Sequence, residues 1–370
     1  MTKQTGDPQL IDFLGDTIRR EGPVTFERFM EQALYHPEHG YYSSGRARVG
    51  RRGDYFTNVS VGSVFGELLA RQFDEMWEML GRPDPFTIVE QGAHSGHFAA
   101  DVLRCVAERM PEFASTLHYC IVEPFPQSLS SIDCRVRWCA SLDELEPFCG
   151  VHFSNELLDS MPVHLVRRSA TGWNERYVTL NHDIFEFADG ELRVPAASLP
   201  DVEPPYETEI NLRVRDWVAA VAQKLTRGYV LAVDYGYPRD EYFAPHRSAG
   251  TLRCYAQHRV IDSPLSHVGE ADITAHVEWT SVAEHARAAG LQLAGFTDQH
   301  HFLTGILSCF ADAEFAQLNR NQLQTLLQPT MLGRTFQFLA LSKDAPADPK
   351  LSGFKFGRDP QIALGLTDAS

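Results

Sequence analysis

A short apolar run, a glycine-containing turn and a helical stretch follow one another in one part of the chain, and this order limits the fold most. The run from Phe86 to Val89 is too short for a helix and indicates a strand. Glu90 ends it, Gly92 and Gly96 form the turn, and residues 98–104 have helical spacing. In parallel sheets this layout brings backbone close to a small ligand at the carboxyl end of a strand. Unpaired N–H groups at the helix start suit a carboxylate or phosphate.

The same turn is also typical of proteins in which glycine only lets a helix pack closely on a strand. A dinucleotide-binding fingerprint would read G-x-G-x-x-G, and this turn has His94 at the middle position. The sequence therefore predicts an α/β fold, with a ligand site and simple close packing both open as roles for the turn.

The composition excludes some partners. The 370 residues carry 49 acidic and 33 basic side chains, a formal net charge of −16 that repels nucleic acid and anionic membranes. One basic stretch, Arg46 to Arg52, fits either a solvated loop or a mobile lid that meets an acidic group. We predict no nucleic-acid partner and no membrane partner, and the sequence does not indicate an oligomeric state.

The seven cysteines are scattered and contain no C-x-x-C pair. This pattern is typical of reduced thiols and indicates neither a disulfide framework nor a zinc site. No apolar run approaches the roughly 18 residues of a membrane helix, and the first residues lack the apolar region of a signal peptide. We therefore expect a cytoplasmic protein without a metal.

Strands and helices alternate along the chain, which predicts a parallel sheet with right-handed crossovers. Strands are expected at 86–89, 117–124, 136–139, 151–156, 228–236, 291–297 and 336–341, and helices at 64–80, 98–110, 208–226, 280–289 and within 300–326. Period-two alternation at 163–168, 174–180 and 184–194 predicts an antiparallel insertion, with Asp189-Gly190 as a hairpin turn.

We predict three regions. Residues 1–60 form an N-terminal helical arm, in which Thr25 caps the second helix, followed by a lid loop. Residues 61–343 form one α/β domain with insertions at about 163–200 and 237–278, the second a long loop. Residues 344–370 read as a polar C-terminal tail.

Four expected strands end in an acid: Glu90, Glu123, Glu156 and Asp234. The carboxyl ends of parallel strands meet at one edge, so four acids there favour a ligand site over helix capping alone. Glu123 lies where an α/β nucleotide site places an acid on ribose hydroxyls. No phosphate-binding G-x-x-x-x-G-K-[ST] loop is present. A phosphate-free cofactor that carries a ribose is S-adenosylmethionine, whose amino group and sulfonium are cations that such acids hold.

The segment from Asn155 to Pro162 is a second polar cluster. Glu156 and Asp159 would share a face if Leu157 starts a helical turn. Such a pair can bind a guanidinium through bidentate bonds or take a proton from a nucleophile. It can equally complement the dipole at a helix start, and both interpretations stay open.

The chain resembles the MidA-like family of class I S-adenosylmethionine-dependent methyltransferases, which includes a mitochondrial complex I assembly methyltransferase that modifies a protein arginine. The resemblance spans about residues 20–342. It rests on ordered matches at 22–26, 29–30, 33–37, 40–42, 53–57, 65–66, 90–96, 122–124, 155–162, 234–236, 250–252, 258 and 269–277.

This resemblance implies a Rossmann-like sheet of seven strands with the last antiparallel, so residues 61–343 would be the methyltransferase domain. It implies that Glu90, Gly92 and Gly96 contact the cofactor and that Glu123 holds the ribose. Further candidate cofactor-binding residues are Gly53, Asp54, Thr57 and Leu142. Asn155, Glu156 and Asp159 would flank the transferred methyl as the catalytic set.

The expected function is methyl transfer from S-adenosylmethionine to a protein side chain, which the family resemblance makes an arginine. The partner would be a protein such as a respiratory-complex subunit, or a small molecule. Two positions depart from the family pattern: His94 replaces a glycine and Ser60 replaces an acid. The alternatives are therefore a small-molecule O- or N-methyltransferase, and an assembly factor or scaffold that keeps the fold with little activity.

Overall fold

A computed structural model describes residues 4–46, 58–125, 136–256, 259–346 and 350–366. The helices are α1 Pro8–Glu21, α2 Phe26–Tyr35, α3 Asn58–Val61, α4 Val64–Met79, α5 His97–Arg109, α6 Pro111–Thr116, α7 Arg213–Lys224, α8 Arg239–Tyr242, α9 Trp279–Ala288, α10 Gln299–Leu307, α11 Asp312–Phe315, α12 Arg320–Leu327 and α13 Pro360–Ala363. The strands are β1 Val24–Thr25, β2 Phe86–Gln91, β3 Leu117–Val122, β4 Val136–Cys139, β5 Phe148–Asn155, β6 His164–Ser169, β7 Gly172–Asn181, β8 Ile184–Gly190, β9 Tyr206–Ile210, β10 Leu225–Tyr237, β11 Arg253–Ala256, β12 Arg259–Val260, β13 Asp272–Thr274, β14 Val277–Glu278, β15 Gln292–Asp298 and β16 Phe336–Lys343.

The chain forms two compact units. An accessory unit comprises residues 1–56, 158–214 and 240–276, and a sheet unit comprises residues 57–157, 215–239 and 277–370. The N-terminal arm and the two insertions, which the sequence presents as separate additions to one domain, thus belong to one unit with its own core.

The sheet unit contains an eight-stranded sheet in which seven strands follow the order β15-β16-β10-β5-β2-β3-β4. The five strands from β10 to β4 run parallel. β16 runs antiparallel to both of its neighbours, as expected of the last strand. The eighth strand, β14, is two residues long, pairs with β10 and was not predicted. This is the α/β fold of class I methyltransferases.

Aromatic side chains fill one side of this sheet. Phe153 of β5 stacks on Phe98 of α5 with 4.5 Å between ring centroids, and Phe73 of α4 meets Phe153 edge-on at 5.7 Å. All three side chains are buried. Because α4 and α5 bury apolar faces against the sheet through these rings, the start of α5 has a fixed position at the end of β2.

The accessory unit contains a five-stranded antiparallel sheet, β1-β7-β6-β9 with β8 on β7, and a three-stranded sheet, β12-β11-β13. The period-two prediction for β6, β7 and β8 is confirmed, but the predicted hairpin turn at Asp189-Gly190 is wrong. Those residues end β8, and the turn between β7 and β8 is His182-Asp183, with φ of 49° and 64°. A two-residue hairpin loop of this kind needs two left-handed residues, a role usually taken by Asn-Gly or Asp-Gly.

Side-chain caps begin both N-terminal helices. Asp7 accepts hydrogen bonds from the N–H groups of Gln9 and Leu10 at the start of α1. Thr25 accepts one from Arg28 at the start of α2, at 3.2 Å, which confirms it as the cap. The two helices bury one apolar face each in the core of the accessory unit.

Three other predictions need correction. The helix expected at 208–226 is strand β9 followed by α7, because residues 206–210 pair antiparallel with β6 and the helix begins only at Arg213. The loop expected at 237–278 contains α8 and strands β11 to β14, each too short to leave a periodic signal. The tail expected at 344–370 contains a packed segment, since Leu351, Phe354 and Leu364 are buried.

Within the described part of the chain, none of the helices combines the length and the apolar character that crossing a bilayer requires.

The central strands β5 and β10 approach each other closely at Gly150 and Gly228. We therefore expect Gly228→Ala to destabilise the protein. Gly228 has φ 140°, and a Cβ there would lie 1.9 Å from the carbonyl oxygen of Gly150 on β5. The strained φ and the backbone clash together should cost roughly 3 kcal/mol or more of unfolding free energy, measured by urea denaturation. Gly290→Ala is the matched control, because Gly290 has φ 83° but no atom within 4 Å of the position that an added Cβ would take; it should cost about 1 kcal/mol. Equal losses in the two variants would contradict this packing.

Candidate cofactor and active site

The turn after β2 is built on left-handed backbone. Gly92 and Gly96 have φ of 79° and 73°, and His94 between them has φ 49°. The Gly92 N–H donates to the Val122 carbonyl at 3.1 Å and the Gly96 N–H to the Ala93 carbonyl at 2.8 Å. Histidine tolerates left-handed φ better than most residues. His94 thus keeps a glycine-like backbone at the position where it departs from the family pattern.

Glu123 follows β3 and is bonded to this turn. Its Oε2 accepts the His94 N–H at 3.1 Å, and its Oε1 accepts the Phe125 N–H at 3.2 Å. Its own N–H donates to the carbonyl of Cys139 on β4, at 2.9 Å. Burial raises the pKa of Glu123, and the two backbone N–H donors oppose that rise. Each carboxylate oxygen has a further lone pair, so a fixed Glu123 can still accept from two ribose hydroxyls.

Glu90 lies in β2, close to its carboxyl end, with 5% of its surface exposed. Burial raises its pKa to about 8, the hydroxyl of Tyr119 opposes the rise by donating to Oε2 at 2.7 Å, and the charge of Glu123 adds to it. Glu90 is therefore largely protonated at neutral pH, and a cation placed beside it favours loss of that proton.

The end of β5 carries Asn155 and Glu156. The Asn155 amide donates to the Glu156 Oε1 at 2.9 Å and accepts from the Asn58 amide at 3.3 Å. The Glu156 N–H donates to the Val233 carbonyl of β10 at 2.9 Å, and Glu156 itself has φ 55°. Left-handed backbone at a residue other than glycine is costly and concentrates at functional sites. These bonds fix the Glu156 carboxylate at the edge where Glu90 and Glu123 lie.

The condition for Glu156 and Asp159 to share a helix face, a helical turn that starts at Leu157, is not met. Residues 157–160 form no helix, so Glu156 and Asp159 do not share a helix face. Asp159 belongs to the accessory unit, where its carbonyl accepts the Ala275 N–H at 2.9 Å and its side chain is buried. The left-handed backbone at Glu156, which a sequence pattern does not reveal, turns the chain away from the helical path.

Asp234, the fourth strand-end acid of the sequence analysis, and Asp272 are both buried. Asp234 lies within β10 and accepts the N–H of Tyr235 at 2.8 Å. Asp272, in the accessory unit, accepts the Tyr42 hydroxyl at 2.6 Å.

Of the other candidate cofactor-binding residues, the structure describes only Leu142. Leu142 begins a short 3₁₀ turn after β4, in the sheet unit, and is partly exposed. Gly53, Asp54 and Thr57 lie outside the described residues. Among the residues that are described, His, Cys, Asp and Glu form no group of three or more suited to a metal ion.

Sequence reasoning missed Tyr119 and Gln91. Gln91 is the last residue of β2. Its Oε1 accepts a hydrogen bond from Trp217 Nε1 and lies 3.0 Å from His152 Nε2, and these contacts fix the position of the strand end. Tyr119 is the first of the last four residues of β3, and all four are buried. A tyrosine in an otherwise apolar strand indicates that its hydroxyl has a buried hydrogen-bond partner.

The order of the strands in the sheet and the acids at the strand ends are those of a class I methyltransferase-like protein. Residues 68–297 match the model of a family of S-adenosyl-L-methionine-dependent methyltransferases. That match covers more than half of the sequence, and the chain belongs to this family.

Relatives of the chain are also named as methyltransferases. The chain is 25% identical to the mitochondrial protein arginine methyltransferase NDUFAF7 homolog of Drosophila melanogaster, over 91% of this chain and 86% of that protein. It is 25% identical to the mitochondrial protein arginine methyltransferase NDUFAF7 of Homo sapiens, over 88% and 81%.

Two crystal structures of superfamily members from Burkholderia thailandensis are also similar. One is bound to S-adenosyl-homocysteine and is 30% identical, with a TM-score of 0.83 over 98% of this chain and all of that one. The other is 28% identical, with a TM-score of 0.81 and the same coverage. The cofactor of this chain is therefore S-adenosylmethionine.

We expect Glu123→Ala to weaken S-adenosylhomocysteine binding about tenfold or more, since hydrogen bonds to a charged group contribute roughly 1.5–3 kcal/mol each. Titration calorimetry measures it. The control is Glu108→Ala, an exposed acid on α5, which should leave the affinity unchanged. Equal affinities for Glu123→Ala and wild type would remove the ribose role from Glu123.

Proposed function

We propose that this protein transfers the methyl group of S-adenosylmethionine to a side-chain nitrogen of a partner protein, and that the acceptor is an arginine. The observation that supports the proposal is the Asn155–Glu156 pair, a carboxylate held by an amide at the edge of the sheet that carries the cofactor-site acids. Two relatives carry the name protein arginine methyltransferase, which supports the choice of acceptor.

The residues at this edge fit the cofactor. The turn at 92–96 presents backbone N–H groups at the start of α5, which suit the carboxylate of the methionine part. Gly92 has φ 79°, and a Cβ there would lie 3.1 Å from the Leu157 side chain, so both the backbone conformation and the close contact favour glycine. Glu123 would hold the ribose, and Glu90 would receive the ammonium group. Gly53, Asp54, Thr57 and Leu142 stay proposed cofactor-binding residues.

Bound S-adenosylmethionine supplies a methyl group already activated on a sulfonium, so the protein's task is to align the acceptor and exclude water. Glu156 would accept two hydrogen bonds from a guanidinium and turn one nitrogen toward the methyl. Asn155 would hold the Glu156 carboxylate in that orientation, as its 2.9 Å bond already does. The guanidinium pKa is too high for easy deprotonation, so proton loss would accompany or follow the transfer. Asp159 stays a proposed second acid for the acceptor.

A scaffold role without turnover is the second candidate, and the departures at His94 and Ser60 are the observations that favour it. The left-handed φ of His94 weighs against it, because the turn keeps the backbone that a glycine would give. Cytoplasmic location stays a prediction, while the named relatives are mitochondrial proteins.

Transfer of tritiated methyl from S-adenosylmethionine into a cell lysate, separated into protein and small-molecule fractions, tests the proposal. We expect label in protein, as methylarginine after hydrolysis. Label only in small molecules would contradict a protein acceptor, and no label with intact cofactor binding would favour the scaffold.

We expect Glu156→Gln to lower methyl transfer at least about a hundredfold while S-adenosylhomocysteine affinity changes less than about threefold, because the neutral amide cannot pair with a guanidinium. Transfer rates and calorimetry measure the two quantities. Glu108→Gln is the control and should match wild type. A parallel loss of cofactor affinity would place Glu156 in the cofactor site instead.

A further inference from the structure

The buried hydroxyl of Tyr119 donates a hydrogen bond to Glu90, the buried acid near the end of β2. Tyr119 on β3 pairs with Ile88 on β2, and Ile121 pairs with Glu90, so Tyr119 and Glu90 are diagonal neighbours on one face of the sheet. The distance from the Tyr119 hydroxyl to Glu90 Oε2 is 2.7 Å, and only 3% of Tyr119 is exposed.

The strands fix this contact. β2 and β3 remain in unbroken parallel register from Phe86–Leu117 to Gln91–Val122, so neither side chain can shift along its strand. Glu123 is the residue directly after β3, and its carboxylate accepts a hydrogen bond from the His94 N–H. One strand pair thus carries the proposed ammonium-binding acid, its hydroxyl partner and the proposed ribose acid.

The groups that act on Glu90 have opposite effects on its ionisation. Tyr119 stabilises the carboxylate by donating to it, while burial and the charge of Glu123 favour the protonated acid and raise its pKa. The pKa of Tyr119 is itself raised well above its ordinary value by burial and by Glu90, so the tyrosine stays a hydroxyl donor.

We infer that Tyr119 is a positioning residue of the cofactor site: it orients Glu90 toward the cofactor's ammonium group and eases the proton loss that accompanies binding. On binding, the carboxyl O–H bond of Glu90 breaks, the proton passes to the solvent, and the carboxylate pairs with the ammonium. No electron transfer is involved. The inference rests on the proposed function, because it places the cofactor's ammonium group beside Glu90.

Titration calorimetry of S-adenosylhomocysteine from pH 6 to 9.5 tests this role. In buffers of different ionisation enthalpy it reports both affinity and the number of protons released. The variants are Tyr119→Phe, Glu90→Gln and, as matched control, Tyr229→Phe, which removes a buried hydroxyl of the same sheet whose neighbour is the sulfur of Met79. The titration of the ligand's own amino group is common to all four proteins and cancels in the comparison.

We expect wild-type affinity to rise with pH up to about 8, with proton release below that pH, because Glu90 has its pKa there. Because Tyr119 is bonded to Glu90 both before and after the proton is lost, only part of the strength of a hydrogen bond to a charged group affects binding, and Tyr119→Phe should bind roughly three- to tenfold more weakly at pH 7. Its affinity should approach that of wild type above pH 9, where Glu90 is ionised in both. Glu90→Gln should release fewer protons than wild type, and Tyr229→Phe should match wild type.

A loss of affinity in Tyr119→Phe that is equal at every pH would overturn the inference and leave a purely structural role. Equal proton release by wild type and Glu90→Gln would also overturn it, and this comparison decides the matter should Tyr119→Phe fail to fold. Wild type that binds no S-adenosylhomocysteine at any pH would overturn the proposed function itself, and the inference with it.

Discussion

Two peptide N–H groups hold the Glu123 carboxylate beside the glycine turn, and the rest of the candidate site depends on that arrangement. One comes from His94 in the turn and the other from Phe125, two residues beyond the acid. Because β2 and β3 lie in register, the bond from His94 links the ends of two neighbouring strands. The turn, the start of α5 and Glu123 are therefore held together by hydrogen bonds within the protein, and such preorganisation lowers the entropy cost of binding a ligand.

Of the three acids at this edge, Glu90 is buried and Glu123 and Glu156 are half-buried, so that each is costly to keep as a charge. Glu123 offsets the cost with backbone donors, Glu90 with the Tyr119 hydroxyl and a raised pKa, and Glu156 with the Asn155 amide. A folded core has little reason to keep three such groups together. The proposed ligand, which has a ribose and an ammonium group, and the proposed positively charged acceptor would account for all three acids by the same chemistry.

The sequence predicted the elements whose signal is local. The cap at Thr25 follows from neighbouring residues alone, and so do the strand–turn–helix order and the period-two strands. The wrong predictions concern segments whose structure depends on contacts with residues far away in the sequence. Glu209 sits in β9 because Thr251 and Leu252, about forty residues away, donate to its buried carboxylate. Phe354 is buried against Phe302, so a polar-looking tail contains a packed segment. For the candidate site, residue types and order predicted Glu90 and Glu123, which stay predictions, whereas the backbone of Glu156 and the partner of Glu90 required coordinates.

A crystal structure of the protein with S-adenosylhomocysteine tests the central claim most directly. The account predicts both ribose hydroxyls within hydrogen-bond distance of Glu123, and the amino group of the ligand on the side of Glu90. A ribose that lies away from Glu123, or a ligand bound elsewhere with the turn at 92–96 untouched, would contradict it.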